Sequence, residues 1–206
     1  RIVNMGVISN GTTLLDAGAL DSGIATGGMR LLSTLTASSS ATLDFTSGLT
    51  STYDHYIFKF IDIHPQTDQK NLSFQVDTGT NTNYNQTITS TVFQAYHNEG
   101  DSAAVLGYIT GLDLAQGTAV QQISEATGNA NDECVCGQLT IFSPASTALT
   151  KHFISRTQAA EGTGYSGEQY TAGYINTTTA ITRVRFKFNA GNIDSGTIKM
   201  YGVYSG

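Results

Sequence analysis

The chain has 206 residues, long enough for one domain to bury most of the surface that its unfolded form would expose. Only 13% of them are Asp, Glu, Lys or Arg, about half the usual share, while Thr and Ser supply about a quarter, which excludes disordered, collagen-like and Pro-rich classes. Ten basic against sixteen acidic residues give a net charge of -6, so the whole chain offers no electrostatic footprint for nucleic acid. No apolar run approaches the roughly 18 residues of a membrane span, and Arg1 to Gly6 lack the charged and apolar blocks of a signal peptide. No membrane insertion and no export are expected.

Residues 1–30 mix scattered aliphatics with six glycines and keep no sustained period, which reads as an extended N-terminal arm. Asn10-Gly11, between Val7-Ile8 and Leu14-Leu15, has the composition of a type I′ turn and closes a small hairpin in this reading. Such an arm has few partners in its own chain, so Val7, Ile8, Leu14 and Leu15 are candidate subunit contacts.

Beyond Leu31 the period is two. Leu43 and Phe45, then Leu72, Phe74 and Val76, then Val184, Phe186 and Phe188 alternate with polar neighbours, as half-buried antiparallel strands do. Residues 87–96, 118–123, 135–142, 149–155, 169–175 and 197–204 read as further strands, separated by Gly, Asn, Asp and Ser clusters. No long amphipathic helix is present, although Gly111 to Gln116 could make a single turn. About ten strands predict an all-β chain: an antiparallel β-sandwich over residues 31–206, of jelly-roll type.

The segment 53–63 departs from clean alternation. Tyr56, Phe58 and Phe60 make one face apolar, and Ile57, Ile61 and Ile63 do the same for the other. A sandwich strand buries one face, so Ile57 and Ile61 need a cover, either the chain's own loops or a neighbouring subunit. Between Asn71 and Thr150 there is no Lys or Arg, and Pro is scarce, so the usual devices that blunt edge strands are missing. Together these features predict an assembled, homo-oligomeric working form.

No motif points to catalysis. Gly162-Thr163-Gly164-Tyr165-Ser166-Gly167 spells the dinucleotide fingerprint but precedes a strand rather than opening a helix, so it reads as a flexible loop. Tyr165 and Tyr170 beside it are candidate glycan or protein contacts, each offering stacking area and a hydroxyl. Asp77 to Asn83 has the outline of a calcium loop, yet lacks the sixth-position Gly and the closing Glu. His55, His64, His97 and His152 come with no nucleophile elbow. Arg183 and Arg185 share a strand face with Lys187, as a solvated ladder or as a contact to an acidic neighbour. Cys134 and Cys136 flank one residue of a strand, at the limit of disulfide geometry, and zinc needs further ligands that this spacing does not supply. They are expected to be reduced, with no metal and no cofactor. The sequons at Asn10, Asn71, Asn85 and Asn176 match the number that chance gives in so Thr-rich a chain.

Several stretches taken together carry a resemblance: Gly6-Val7-Ile8-Ser9-Asn10-Gly11-Thr12-Thr13, Ser47-Gly48-Leu49-Thr50-Ser51-Thr52-Tyr53-Asp54, Phe60-Ile61-Asp62-Ile63-His64-Pro65, Lys151-His152-Phe153-Ile154-Ser155-Arg156 and Gly191-Asn192-Ile193-Asp194-Ser195-Gly196-Thr197-Ile198-Lys199-Met200-Tyr201-Gly202. They resemble a family of virion structural proteins of tailed bacteriophages, marine phages among them, described as tail-fibre-like. The resemblance covers nearly the whole chain and includes no catalytic residues. It implies a non-enzymatic virion protein assembled in the host cytoplasm as a homo-oligomer, a trimer, that meets other virion proteins and a host-surface glycan. The alternatives are a capsid-decorating (cement) protein that stabilises the shell and, third, a polysaccharide depolymerase.

Overall fold

The computed structural model describes residues 7–9, 11–16, 19–20 and 28–204. Among these residues there is no helix; every regular element is a strand, and no helix is long and apolar enough to cross a membrane.

The first segment is a small antiparallel meander of β1 (Val7–Ser9), β2 (Thr12–Asp16) and β3 (Ala19–Leu20). Ser9 pairs with Thr12, and Gly11 between them lies in the left-handed region at φ 81° that glycine adopts readily. The segment read as an extended arm is therefore sheet-forming in these strands. Ile8 is exposed; the side chains of Val7, Leu14 and Leu15 lie outside the described residues.

The sandwich begins with β4 (Met29–Thr36), two residues before the expected boundary, and continues through β5 (Leu43–Phe45), β6 (His55–Pro65), β7 (Leu72–Thr78), β8 (Ile88–Asn98) and β9 (Ala104–Tyr108). It is completed by β10 (Gln121–Gln122), β11 (Val135–Phe142), β12 (Lys151–Glu161), β13 (Tyr165–Ile175), β14 (Ile181–Phe188) and β15 (Ile193–Val203). Two antiparallel sheets face one another: eight strands in the order β4-β15-β6-β11-β12-β13-β8-β9, and four in the order β10-β7-β14-β5. Without the β8–β9 and β12–β13 pairs, β4-β15-β6-β11 remain in one sheet and β5-β14-β7-β10 in the other. Every step along those eight strands then crosses between sheets, except that from β7 to β10.

Alternation fixes the core as expected. Phe58 and Phe60 of the large sheet meet Phe45 and Phe186 of the small one with ring centroids 5.2–5.3 Å apart for three of the pairs, and Phe74 meets Phe153 at 5.0 Å. Tyr56 is buried with them. Its hydroxyl accepts from the Thr50 backbone N–H at 2.7 Å and donates to the Thr50 carbonyl at 2.9 Å, fixing the entry into β6.

The four-stranded sheet cannot cover eight strands. The inner faces of β8, β13 and part of β12 are covered instead by the segment 109–127, of which only Gln121–Gln122 is strand, at the edge of the small sheet. Ser90 donates to Gln121 Oε1 at 2.6 Å and accepts from the Leu114 N–H at 2.9 Å. Gln121 donates to the carbonyls of Leu112 and Gln122, Gln169 donates to Gln122, and Thr157 donates to Ile123. This is why the expected strand 118–123 shrinks to two residues: the carbonyls of Thr118 and Ala119 accept from the Gln75 side chain rather than from a ladder. The glycine-rich 162–167 segment also differs from a loop. Residues 162–164 form a tight turn, and Tyr165 already belongs to β13.

Gln121→Leu removes three hydrogen bonds and takes their partner from the buried Leu112 carbonyl and the Ser90 hydroxyl, while Gln122 keeps Gln169, at a cost of about 2–4 kcal/mol. The expected readout is a lower denaturant midpoint at unchanged slope. Thr197→Val, which loses only an exposed hydroxyl contact to Thr36, stays within about 0.5 kcal/mol of the parent.

Candidate functional site

The outer face of the eight-stranded sheet carries a cross-strand row that register alone defines. Lys199 pairs with Lys59, Lys59 with Gln138, Gln138 with Arg156, Arg156 with Tyr170, Tyr170 with Phe93, and Phe93 with Tyr108. At about 4.8 Å per strand the row runs roughly 29 Å, cationic at one end and aromatic at the other. Phe93 and Tyr170 stack with planes 6° apart and centroids at 4.7 Å, and the Arg156 guanidinium lies 5.3 Å from the Tyr170 centroid while pairing with Glu168. Beside the row, Leu106 is 72% exposed and Ile154 54%, with Phe142, Ile61 and Met29 also open to solvent. Ile57 is half-buried on the same face. No described loop covers it.

The aromatic end of this face finishes in β9, a strand that the sequence reading missed because Ala-Val-Leu-Gly-Tyr has no alternation to report. β9 hydrogen-bonds β8 on one side only and contains neither Lys nor Pro, so its other edge is an unblunted row of backbone donors and acceptors. Glu99 and Asp101 in the β8–β9 turn, and Asp113 after β9, make this end acidic.

The inner face opens a second feature at its rim, where the filling segment ends. Gln94 and Tyr96 of β8, Tyr165 of β13, Glu161 at the end of β12, and Glu125 and Thr163 line a cleft of about 220 Å³. Tyr96 and Tyr165 meet edge to face at 5.5 Å. Glu161 Oε1 accepts from Gln94 Nε2 at 3.0 Å and lies over Gly167, where a Cβ would fall 2.1 Å from that oxygen. Burial first, then the Glu125 charge, lifts the Glu161 carboxyl from the ordinary 4.5 to about 7, with the Gln94 hydrogen bond opposing; burial also raises Glu125. The cleft thus holds a proton donor near neutral pH together with two tyrosine rings.

The predicted contact residues do not converge. Tyr165 lies in the cleft and Tyr170 on the outer row, on opposite sides of one strand. Ile57 and Ile61 share the outer face of β6. Arg185 is engaged within the chain, with Nε and Nη2 on the two oxygens of Asp44 at 2.9 and 2.6 Å and the guanidinium 3.8 Å from the Tyr84 centroid. Arg183 sits beside it, opposite Asp77, with a buried Nε that has no partner. Asp77 accepts from the N–H groups of Thr78 and Tyr84 and from Gln86, so it shapes the 78–86 loop instead of facing outward for a cation. Cys134 and Cys136 are free thiols, with Asp62 brought beside them, and burial pushes the Cys134 thiol up to about 11.

Comparison with family models, with curated proteins and with solved structures finds no match to this chain.

The Glu161 shift has a definite sign. A folded-state value above the unfolded one means extra bound protons between about pH 4.5 and 7, so this contribution is full below 4.5 and is lost as pH rises through 7. Glu161→Gln should flatten the fall in melting temperature across that window. It gains roughly 1–2 kcal/mol above pH 7, less than 1.36 kcal/mol per pH unit would give, because the carboxyl is partly solvated.

Proposed function

We propose that this chain is a non-catalytic virion structural module of tail-fibre or adhesin type, working as a homo-oligomer whose subunits meet through the outer face of the eight-stranded sheet. The carrying observation is that face: a row of cations and aromatics, flanked by exposed Leu106 and Ile154, ending in a free edge strand. Charge supports a second copy as the occupant. Lys59 and Lys199 occupy one end and Glu99, Asp101 and Asp113 the other, so the cationic end of one copy set against the acidic end of the next brings unlike charges together. Such a head-to-tail contact is heterologous and forms a closed ring when its rotation divides the circle; the trimer implied by the family resemblance is such a ring. The strand order itself, with the β8–β9 and β12–β13 pairs regarded as insertions, is read as a jelly roll.

In this reading Tyr170 belongs to the subunit contact, and Tyr165 to a glycan-contacting cleft that assembly leaves open. Two tyrosine faces with a carboxyl and an amide offer what a sugar ring needs: stacking surface with hydrogen-bond partners at its edge.

Sedimentation velocity at micromolar concentration should give a three-chain species that Leu106→Lys combined with Ile154→Lys converts to a monomer, while Gln121-containing inner positions remain untouched. A wild-type monomer, or an oligomer indifferent to both substitutions, overturns the assembly reading. Tyr165→Ala and Tyr96→Ala, made singly, should each lower retention on host-surface polysaccharide by at least tenfold without changing the oligomer. Equal retention of both variants and the parent overturns the cleft assignment.

A further inference from the structure

Two strand irregularities meet at one residue. Between β6 and β11 the register passes from Ile63↔Val135 to Phe60↔Gly137, so Cys136 faces both Ile61 and Asp62. Between β6 and β15 it passes from His64↔Ser195 to Ile61↔Thr197, leaving Gly196 opposite Asp62 and Ile63. Asp62 is the extra residue of a bulge on both sides of its strand, held at φ 52°. Gly196, at φ 109°, accommodates it: a Cβ there would lie 2.3 Å from the Asp62 carbonyl oxygen.

The bulge aims the Asp62 carboxylate at two sulfurs. Cys136 Sγ lies 3.4 Å from Asp62 Oδ1 and 3.3 Å from the Asp62 backbone nitrogen, and one ligand atom from each of Asp62, Cys134 and Cys136 falls within 4.8 Å of the others. Zinc bonds of about 2.3 Å to sulfur and 2.0–2.2 Å to oxygen place tetrahedral ligand atoms roughly 3.3–3.8 Å apart, so the trio needs a closure of about 1 Å at most. Cys136 also lines an open depression of about 500 Å³ on the outer face, which provides an entry path and room for a water. The Cys-x-Cys spacing that was too sparse for a metal in sequence acquires its third donor from a residue 72 positions away.

We propose that Asp62, Cys134 and Cys136 bind a zinc ion, with water as the fourth ligand. Each thiol gives its proton to solvent as its sulfur binds, so two protons leave per metal. This site does not rest on the assembly or glycan readings.

Cobalt(II) reports on it directly. Titrating the reduced full chain under anaerobic conditions should give, at one equivalent, the visible bands of tetrahedral cobalt and a near-ultraviolet thiolate-to-cobalt band, both abolished by one equivalent of zinc, with two protons released. Cys136→Ser should halve the thiolate band. Asp62→Asn, at an exposed position that leaves both sulfurs in place, should keep the band and weaken cobalt binding by at least tenfold. Melting curves recorded without metal establish that each variant is folded. No stoichiometric uptake at micromolar cobalt, a cobalt spectrum without a thiolate band, or equal affinity in the parent and Asp62→Asn overturns the proposal.

Discussion

The unequal width of the two sheets governs the rest of this molecule. Four strands can bury the inner face of about four others, and the surplus of β8, β13 and part of β12 must be covered by chain that is mostly not strand. The segment 109–127 does this with little secondary structure of its own, so its peptide groups need partners from the surface beneath. Ser90, Thr157 and Gln169 in the sheet, with Gln121 in the segment, supply them. Neutral hydroxyls and amides are the side chains that can be buried and still be satisfied, at a net gain near 1 kcal/mol per bond; charges in the same places would cost several. The buried Ser, Thr and Gln of this interior follow from that requirement.

The same constraint places both surface features. Where the filling segment gives out, beside Glu125, the inner face is half wet, and Glu161 sits there with one amide partner and no cation nearby to hold it ionised. On the other side, strands whose inward positions are partly Ser, Thr and Gln carry some large apolar residues outward. Phe93 faces out between Val92 and Gln94, which are buried, and Ile154 faces out between buried Phe153 and Ser155. The exposed apolar face and the polar interior are two sides of one arrangement.

That inversion also marks what could be read from sequence. Strands flanking the Phe45, Phe58 and Phe186 core obey hydrophobic alternation, and there the strand positions, the antiparallel sandwich and the inward residues were legible. In β8 and β12 the side chains that define the inner face are partly polar, so period-two reading gives the strand without saying which way it faces. β9 offers no period at all, and the 118–123 run lost its ladder to the side chain of Gln75, a competitor over 40 residues away. The β1–β2 pairing was legible because turn chemistry is local; the cleft was not, because Glu125, Glu161 and Tyr96 come from three separated segments.

Asp62 shows how one inserted residue settles a conflict that alternation alone cannot. With strict alternation Ile63 would share the outer face with Ile57 and Ile61, and β6 would end with three solvent-facing isoleucines. The bulge shifts the phase by one, turning Ile63 to full burial in the core while Asp62 stays at the surface. Its cost is a non-glycine residue in the left-handed region and interrupted pairing with both neighbouring strands, which burying one isoleucine side chain, about 1.5–3 kcal/mol, offsets. A Cys opposite that point is not required by the phase shift, since any small residue would fit beside the bulge. Two thiols facing a carboxylate there are therefore a feature separate from packing, and coordination chemistry is the account that uses all three donors at once.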